Sequence, residues 1–376
     1  MNNDQNDLEY TRRIEKIEAE LGRWLPEHPD ASWAAEIFPG LGGKVSGELL
    51  ESLTQPGWDL LNRGGKRWRP LLMALICETL GGADTALPLT PLVEFSHNAS
   101  LIHDDIEDSS DERRGKPAVH LLYGVDAAIN GGSFLYFLPL ACINAWSAPV
   151  EQKEQVRSIW GEYMRRLHLG QAMDIHWHRD FLSLPGIEEY YTMCGLKTGC
   201  LARLAAVLGV TVALGKAGSA PQAAELARVA ELAAVLGEAA EKLGVGFQIL
   251  DDVKNLTTGL PGKKRGDDVV EGKKSLPVLL YLHRHPDTGE ASQYDLDAGE
   301  LVANCFTAAR AGGPGVPEVE ELIGALEAAG VLEEARQKGL ALIREATEVF
   351  ASPSIAGFPL REEGRRLLAG FTGLIS

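Results

Sequence analysis

Apolar residues recur at helical spacing along most of this chain, and this periodicity limits the possible folds more than any other feature. The pattern predicts helices at roughly 8–24, 42–62, 67–81, 87–105, 124–146, 150–177, 186–213 and 221–255, with more after about 275. These segments are rich in Ala, Leu, Glu and Arg, which favour helices. Alternating β-branched runs, which predict strands, are nearly absent. We therefore predict an all-α protein, built as one large single-domain helical bundle.

No low-complexity linker separates two domains, and no repeat period is visible. The chain has 376 residues, 45% of them hydrophobic, which is enough for a substantial core. We assign residues 1–40 to an N-terminal helical extension and residues 41–376 to the main domain. Residues 284–316 contain Gly, Pro and Asp, so we predict a looser insertion there.

The formal net charge is −17, which disfavours nucleic acid as a partner. Five cysteines without a CxxC pair predict reduced, buried thiols, as in a cytosolic protein. The polar start "MNNDQNDLEYTRR" does not resemble a signal peptide. Apolar runs such as "FLYFLPLACINAW" are shorter than the about 20 residues that span a membrane. We expect a soluble, cytoplasmic protein without a transmembrane segment.

Two acidic clusters end apolar helical segments. The first acidic cluster, in "LIHDDIEDSSDERRG", is Asp104, Asp105 and Asp108; the second acidic cluster, in "GFQILDDVKN", is Asp251, Asp252 and Asn255. Asp104 and Asp108 share one helix face, whereas Asp105 lies about a quarter-turn away. Sets of one or two carboxylates suit Mg²⁺, which keeps several waters and binds substrate phosphates. Two facing sets would hold a diphosphate between metal ions; the alternative is two solvated acidic helix ends.

Basic residues accompany these clusters, as an acidic chain needs if it is to bind a diphosphate. They occur in "GGKRWRP" (Lys66, Arg67, Arg69), "ERRGKP" (Arg113, Arg114, Lys116) and "GKKRGDDVVEGKKSLP" (Lys263, Lys264, Arg265, Lys273, Lys274). Each run, taken alone, is better explained as a solvated charge run or a helix cap. Lys197 differs, because a lysine within the apolar "MCGLKTGCLARL" needs a partner or a cavity. His97 lies two helical turns before Asp104, although a lone histidine there also fits a core role.

These motifs, together with "GQAMDI" and "YYTMCGLKTG", resemble those of the trans-isoprenyl diphosphate synthases, the polyprenyl synthetase family. The resemblance covers roughly residues 45–285 in the family's motif order. It implies an isoprenoid synthase-type helical bundle around a deep apolar cavity, usually a homodimer, with residues 41–376 as the synthase domain. It further implies about three Mg²⁺ ions and head-to-tail condensation of isopentenyl diphosphate with an allylic diphosphate.

The resemblance also implies roles for individual residues. Asp104 and Asp108 correspond to ligands of two magnesium ions, Asp105 to a supporting carboxylate, and Asp251 to a ligand of a third. The allylic diphosphate would be held by Arg113, Lys197, Thr198, Gln248, Lys263 and Lys273. The isopentenyl diphosphate would be held by Lys66, Arg69, His97 and Arg114. Such cationic groups stabilise the charge of a departing pyrophosphate, which is electrostatic catalysis of ionisation.

Two positions depart from the family's pattern. Asn255 replaces the last aspartate of the second acidic cluster, which predicts a modest weakening of the third metal site. Ser133 stands where the family commonly has an acidic residue. The N-terminal extension and the 284–316 segment exceed the family's usual length.

Product length in this family depends on bulky residues beside the first acidic cluster. Ala99 and Ser100, one turn before Asp104, are both small, so the floor of the product tunnel is expected to lie deeper. Phe95, Tyr136 and Phe137 are the candidates for that floor, with ordinary core packing as the alternative for each. We favour a geranylgeranyl-length product, with farnesyl or longer chains as alternatives.

Two other functions remain open from the sequence. A class I terpene cyclase shares the ionisation step, but Lys66, Arg69 and His97 argue against it because a cyclase needs no second diphosphate site. A non-catalytic subunit of a heteromeric prenyl synthase would have lost its aspartates, whereas both acidic clusters are present here.

Overall fold

The computed structural model describes residues 2–41, 43–180, 184–215, 223–259, 264–284 and 296–375. In these ranges almost every residue of regular structure is helical, which confirms the all-α prediction. The chain forms two compact units. The first unit is Met1–Met164, Leu201–Ala240 and Thr347–Ser376; the second unit is Arg165–Cys200 and Glu241–Ala346.

The α-helices, in chain order, are α1 (Asn2–Trp24), α2 (Ala31–Ile37), α3 (Gly47–Asn62), α4 (Trp68–Thr79), α5 (Pro91–Glu107), α6 (Val119–Tyr123), α7 (Val125–Phe137), α8 (Pro139–Ala145), α9 (Val150–Arg179), α10 (Ile187–Cys194), α11 (Cys200–Leu214), α12 (Ala223–Thr257), α13 (Asp267–Glu271), α14 (Leu276–Leu282), α15 (Leu296–Gly312), α16 (Pro317–Ala328), α17 (Val331–Ala351) and α18 (Glu362–Ile375). A 3₁₀ helix covers Ala83–Leu89, and a π-helical segment, Gly195–Gly199, joins α10 to α11.

Among the described residues, two short antiparallel hairpins complete the regular structure. The first pairs β1 (Glu112–Arg113) with β2 (Lys116–Pro117), and the second pairs β3 (Ser354–Ile355) with β4 (Phe358–Pro359). The first hairpin follows the first acidic cluster directly, so it returns Arg113 toward the end of α5.

The core of the first unit is built around α5, which packs against α3, α4 and α7. Its apolar face is fully buried at Phe95, Ala99 and Ile102. Close approach of α7 to α3 needs Gly131, since a Cβ there would lie 3.0 Å from Pro56 Cβ. This packing holds the C-terminal end of α5, and with it the first acidic cluster, in a defined place.

Helix α1 belongs to the first unit, where it contacts α4 and α5. The Tyr10 hydroxyl donates to Leu367 O over 2.6 Å, and the Arg13 guanidinium binds the Glu78 carboxylate. The division into an extension over residues 1–40 and a synthase domain over 41–376 stays a prediction.

The second unit has its own apolar core, formed by α10, α13–α16, the C-terminal parts of α9 and α12 and the start of α17. The prediction of a looser insertion over 284–316 was wrong for 296–312, which form α15. Val302, Cys305, Phe306 and Ala309 are all buried there, at the spacing of one helix face. Gly313, Pro314 and Gly315, which suggested a loop, follow this helix, whereas Gly299 lies within it. Residues 285–295 lie outside the described part of the chain.

All five cysteines are buried and unbridged, as predicted. In the part of the chain that the structure describes, two helical stretches, Val125–Ala145 and Ile187–Leu214, have the length and hydropathy of membrane-spanning helices. Of their most apolar windows, 44% and 67% are buried within the protein, and core helices of soluble proteins share these properties. The absence of a transmembrane segment stays a prediction.

Candidate active site

The first acidic cluster lies at the C-terminal end of α5. Asp104 and Asp105 are in its last turn, and Asp108 is its C-cap residue, whose N–H donates to Asp104 O over 2.8 Å. The side chain of Asp105 is fully buried, whereas that of Asp104 is 16% exposed. Carboxylates at this end of a helix are unfavourable, because the helix dipole is negative there. The arrangement therefore needs positive charge nearby.

Arg113, on β1, supplies that charge. Its guanidinium donates through Nε to Asp105 Oδ1 over 2.8 Å and through Nη2 to the same oxygen. The distance from Arg113 Nη2 to Asp104 Oδ2 is 3.5 Å. Burial raises the pKa of Asp105, and the Arg113 hydrogen bonds oppose that shift. Asp105 is thus held by the protein itself, as a supporting carboxylate would be.

The residues present fit a magnesium site of few protein ligands. Within the described ranges, His, Cys, Asp and Glu side chains do not gather in groups of three or more that could hold a metal ion by themselves. Asp104 and Asp108 form a pair one turn apart, and Mg²⁺ is commonly bound by one or two carboxylates plus substrate phosphates. In addition, Asp105 Oδ2 is buried without a hydrogen-bond partner among the described residues. These oxygens suit a hard divalent cation.

The residues assigned to isopentenyl diphosphate form a basic group in the same unit. Arg69 Nη1 lies 3.4 Å from His97 Nε2. Burial lowers the pKa of His97 well below its usual value, and the charges of Arg69 and Arg114 lower it further. Lys66 is exposed in the preceding loop. Burial thus disfavours the protonated imidazole, and the positive charge of the group comes from Arg69, Arg114 and Lys66.

The Arg114 side chain contacts different residues from those that its neighbour Arg113 contacts. Its Nη1 donates to Leu60 O over 2.9 Å and lies 3.3 Å from Asn98 Oδ1. Burial lowers the pKa of Arg114 to about 10. The adjacent arginines thus serve two groups, with Arg113 on the first acidic cluster and Arg114 beside the basic group.

Arg67 has a structural role that its motif does not reveal. It is 3% exposed, at φ +48°, and it donates to Glu18 over 2.6 Å and Glu94 over 2.9 Å. Its Nη1 also donates to Gly64 O over 3.2 Å. Because its charge is paired with Glu18 and Glu94, Arg67 fixes the loop that carries Lys66 and leads into α4, where Arg69 lies.

In the second unit, Lys197 lies within the π-helical segment. Such segments are rare and occur often at functional sites. The Lys197 Nζ donates to Asp174 Oδ2 over 2.6 Å. Asp174 is the acidic residue of "GQAMDI" on α9. It is the partner that Lys197 needs among the apolar residues around it.

Thr198, Gln248 and Asp252 form a continuous hydrogen-bonded chain. Thr198 Oγ1 donates to Gln248 Oε1 over 2.9 Å, and Gln248 Nε2 donates to Asp252 Oδ1 over 2.9 Å. The Tyr190 hydroxyl donates to Asp252 Oδ2 over 2.6 Å. Burial, and then the nearby Asp268 charge, raise the pKa of Asp252 to about 7.

The second acidic cluster lies near the C-terminal end of α12, with Asp251 exposed and Asp252 buried. Asn255 is fully buried, and its Oδ1 accepts a hydrogen bond from Asp268 N over 3.2 Å. Asn255 Oδ1 therefore anchors α13, whereas its Nδ2 is buried without a hydrogen-bond partner among the described residues, and nothing in the structure explains the amide at this position. Lys273 Nζ pairs with Glu271 and lies 3.9 Å from Asp268 Oδ1. Lys263 lies outside the described residues.

The candidates for product length lie on α5 and α7. Phe95 and Ala99 are fully buried, while Ser100 is partly buried and donates to His97 O over 2.8 Å. The Tyr136 ring stacks on His103, with centroids 5.6 Å apart. Phe137 was a wrong candidate for an interior floor, since its side chain is 65% exposed.

The two departures have local partners. Ser133 Oγ lies 3.4 Å from His103 Nε2, so it faces α5 through a histidine.

Sequence reasoning missed Gly170, Asp174 and Tyr190. The motif "GQAMDI" carried a signal for the first two, since Gly170 and Asp174 stand four residues apart on one face of α9.

An all-α bundle with an aspartate cluster at the end of one helix, and a second at the end of another, has the fold and residue set of an isoprenoid synthase. The polyprenyl synthetase family model matches residues 50–297, and this chain belongs to that family. The resemblance seen in the sequence motifs is thereby confirmed.

Relatives and solved structures agree with this assignment. A geranylgeranyl pyrophosphate synthase from Neocamarosporium betae is 37% identical over 226 residues, which span 59% of this chain and 59% of that relative. Geranylgeranyl pyrophosphate synthetase from Pyrococcus horikoshii OT3 has a similar fold, with a TM-score of 0.77 and 24% identity, covering 100% of this chain and 99% of that one. A geranylgeranyl pyrophosphate synthase from Corynebacterium glutamicum, complexed with isoprenyl diphosphate and magnesium, gives a TM-score of 0.72 at 22% identity, covering 96% and 97%.

Proposed function

We propose that this protein is a prenyltransferase that condenses isopentenyl diphosphate head to tail with an allylic diphosphate. The proposal rests on the different contacts of two adjacent arginines. Arg113 donates hydrogen bonds to Asp105, whereas Arg114 lies beside Arg69 and His97. One short hairpin thus serves an acidic pair suited to metal ions and a basic group suited to a second diphosphate. A bisubstrate prenyltransferase needs both.

Divalent metal ions fit this chemistry, and Mg²⁺ is the ion named with the Corynebacterium glutamicum relative. Asp104 and Asp108 would hold it on the first acidic cluster and Asp251 on the second, with about three ions in total. When bound, the ions stabilise the negative charge of a departing pyrophosphate.

The protein's own side chains orient the allylic diphosphate and neutralise its charge. Arg113, Lys197, Lys273 and Lys263 are the cations, and the Asp174 carboxylate fixes the position of Lys197. Thr198 and Gln248 offer dipoles for the positive charge that develops on the allylic carbon when its C–O bond breaks. The Lys66, Arg69, His97 and Arg114 side chains position the isopentenyl double bond for attack. The departing pyrophosphate accepts the final proton.

A homodimer in the cytoplasm is part of the proposal. Helices α6 and α7 expose large apolar side chains: Leu121, Leu122, Val125, Ile129 and Phe137 are 45% to 65% exposed. An apolar patch of this kind favours association. The five buried thiols suit a reducing compartment. Sedimentation of the purified protein as a monomer would contradict the dimer.

The product is expected to have geranylgeranyl length, as the name of the Neocamarosporium betae relative supports. Ala99 and Ser100 leave the first turn before Asp104 without a bulky side chain.

Substrate selection tests the proposed function. The purified protein is supplied with Mg²⁺ and dimethylallyl, geranyl or farnesyl diphosphate, each with and without isopentenyl diphosphate, and products are sized by chromatography. We expect longer prenyl diphosphates only when isopentenyl diphosphate is present. Hydrocarbon release from an allylic diphosphate alone would instead indicate a terpene cyclase, and no product under any condition would indicate a non-catalytic subunit.

A further inference from the structure

A single chain of hydrogen bonds runs from a buried tyrosine to the threonine proposed to face the substrate. The Tyr190 hydroxyl donates to Asp252 Oδ2 over 2.6 Å, and Asp252 Oδ1 accepts from Gln248 Nε2 over 2.9 Å. Gln248 Oε1 in turn accepts from Thr198 Oγ1 over 2.9 Å. These four residues come from α10, the π-helical segment and α12, all within the second unit.

When Asp252 is ionised, the chain has only one direction. The Asp252 carboxylate accepts from both neighbours, so it requires the NH₂ end of the Gln248 amide to face it. The carbonyl end must then face Thr198. A threonine hydroxyl carries one hydrogen, and this hydrogen is committed to Gln248. The Thr198 oxygen therefore presents only lone pairs to the rest of its surroundings.

Burial keeps this direction fixed. Tyr190 is 1% exposed and Asp252 is 5% exposed. The Tyr190 ring packs edge-on against Tyr191, with centroids 5.9 Å apart. A buried polar group that loses its partner is strongly disfavoured, so neither the phenol nor the carboxylate can turn away without a large penalty.

We propose that Tyr190 is a positioning residue: through Asp252 and Gln248 it orients the Thr198 hydroxyl so that its lone pairs face the allylic carbon. This inference rests on the proposed function. In the step it assists, the allylic C–O bond breaks, both electrons leave with pyrophosphate, and the carbon becomes positive. The hydrogen-bonded chain transfers no proton; it supplies a fixed dipole where positive charge develops.

Steady-state kinetics of Tyr190→Phe test the inference. The variant loses a hydrogen bond to a carboxylate, and we expect kcat to fall about tenfold. The KM values for both diphosphates should stay unchanged, since the dipole acts only when charge develops in the transition state. Tyr191→Phe removes the hydroxyl of the neighbouring ring and is the matched control, with kcat expected to remain within about twofold of the wild type.

A double-mutant cycle separates positioning from a general structural role. In a Thr198→Val background the oxygen is gone, so we expect Tyr190→Phe to cause no further loss in kcat. Asp252→Asn breaks the same chain at the next residue and replaces Tyr190→Phe in the cycle if that variant does not fold, as judged by circular dichroism and thermal melting.

The possible outcomes are distinct. An unchanged kcat in Tyr190→Phe, a change confined to KM, or an equal loss in both backgrounds would overturn the inference while leaving the proposed function intact. A wild type that does not condense the two diphosphates would overturn the proposed function, and this inference with it.

Discussion

Gly170 lies directly against the backbone of the π-helical segment: a Cβ at position 170 would be 2.6 Å from the carbonyl carbon of Leu196. Farther along the segment, a Cβ at Gly244 would lie 2.9 Å from Gly199 Cα. Two helices, α9 and α12, therefore approach the segment at glycines. This close packing fixes the backbone that carries Lys197 and Thr198.

Gly170→Ala should displace that backbone. We expect the free energy of unfolding to fall by about 1–3 kcal/mol from overpacking. The rate kcat should fall by more than about tenfold, since a small misplacement of catalytic groups is costly. Gly324→Ala on α16 is the matched control, because no atom lies within 4 Å of a Cβ there. Thermal melting and initial rates measure both effects. A Gly170→Ala variant with wild-type kcat would show that the exact position of the π-helical segment does not affect catalysis.

The sequence predicted the first acidic cluster well because its geometry is local. Asp104 and Asp108 stand four residues apart on one helix, and the structure places both at the end of α5. The need of Lys197 for a partner was also predictable from the apolar residues around it. The identity of that partner was not, because Asp174 lies 23 residues earlier on another helix.

Other features depend on packing that no local pattern encodes. Arg67 and Arg69 are two residues apart in one basic motif, yet Arg67 is buried against Glu94. Tyr190 lies in the motif "YYTMCGLKTG", but its role as a donor to Asp252 requires α10 and α12 to meet. The helix α15 was missed because flanking Gly and Pro residues outweighed its apolar spacing.

His97 should make the protein less stable in acid. Its pKa is lowered in the folded state by burial and by Arg69, so the unfolded chain binds a proton near pH 6.5 while the folded chain does not. Stability is thus lost as pH falls below about 6.5, by at most about 1.4 kcal/mol per pH unit. His97→Gln should flatten this decline. Urea denaturation at pH 5, 6, 7 and 8 measures it, and parallel curves for the two proteins would refute the explanation.

Asn255→Asp, which restores the family's aspartate, should destabilise this chain. Position 255 is fully buried, one turn from the buried Asp252. A new carboxylate there has a raised folded pKa, so we expect a loss of about 1–3 kcal/mol at pH 7. The loss should shrink as pH falls and the carboxyl becomes protonated.

Urea denaturation at pH 5 and 7 measures the effect of Asn255→Asp. The exposed Asn130→Asp serves as the control. A more stable Asn255→Asp variant, or one activated by less Mg²⁺ than the wild type, would indicate that the position serves the metal rather than α13.

Phe95→Ala should lengthen the product. The side chain is fully buried on α5, about two turns before Asp104, and its removal opens space in the direction of chain growth proposed here. We expect products longer by one or more isoprene units, with a stability loss of about 3–5 kcal/mol. Phe306→Ala removes a ring from the core of the second unit and controls for the loss of stability alone. Mass spectrometry of the products decides, and an unchanged length distribution in Phe95→Ala would contradict the assignment.

The proposed function requires Asp104 to act with divalent ions in expelling pyrophosphate from an allylic diphosphate. The most direct measurement is pyrophosphate release per isopentenyl diphosphate consumed, in the wild type and in Asp104→Asn, with Mg²⁺ and with chelator. We predict one equivalent per condensation in the wild type with Mg²⁺, no turnover in chelator, and a rate at least about 10³-fold lower in Asp104→Asn. Wild-type turnover in chelator, or in Asp104→Asn, would contradict the account.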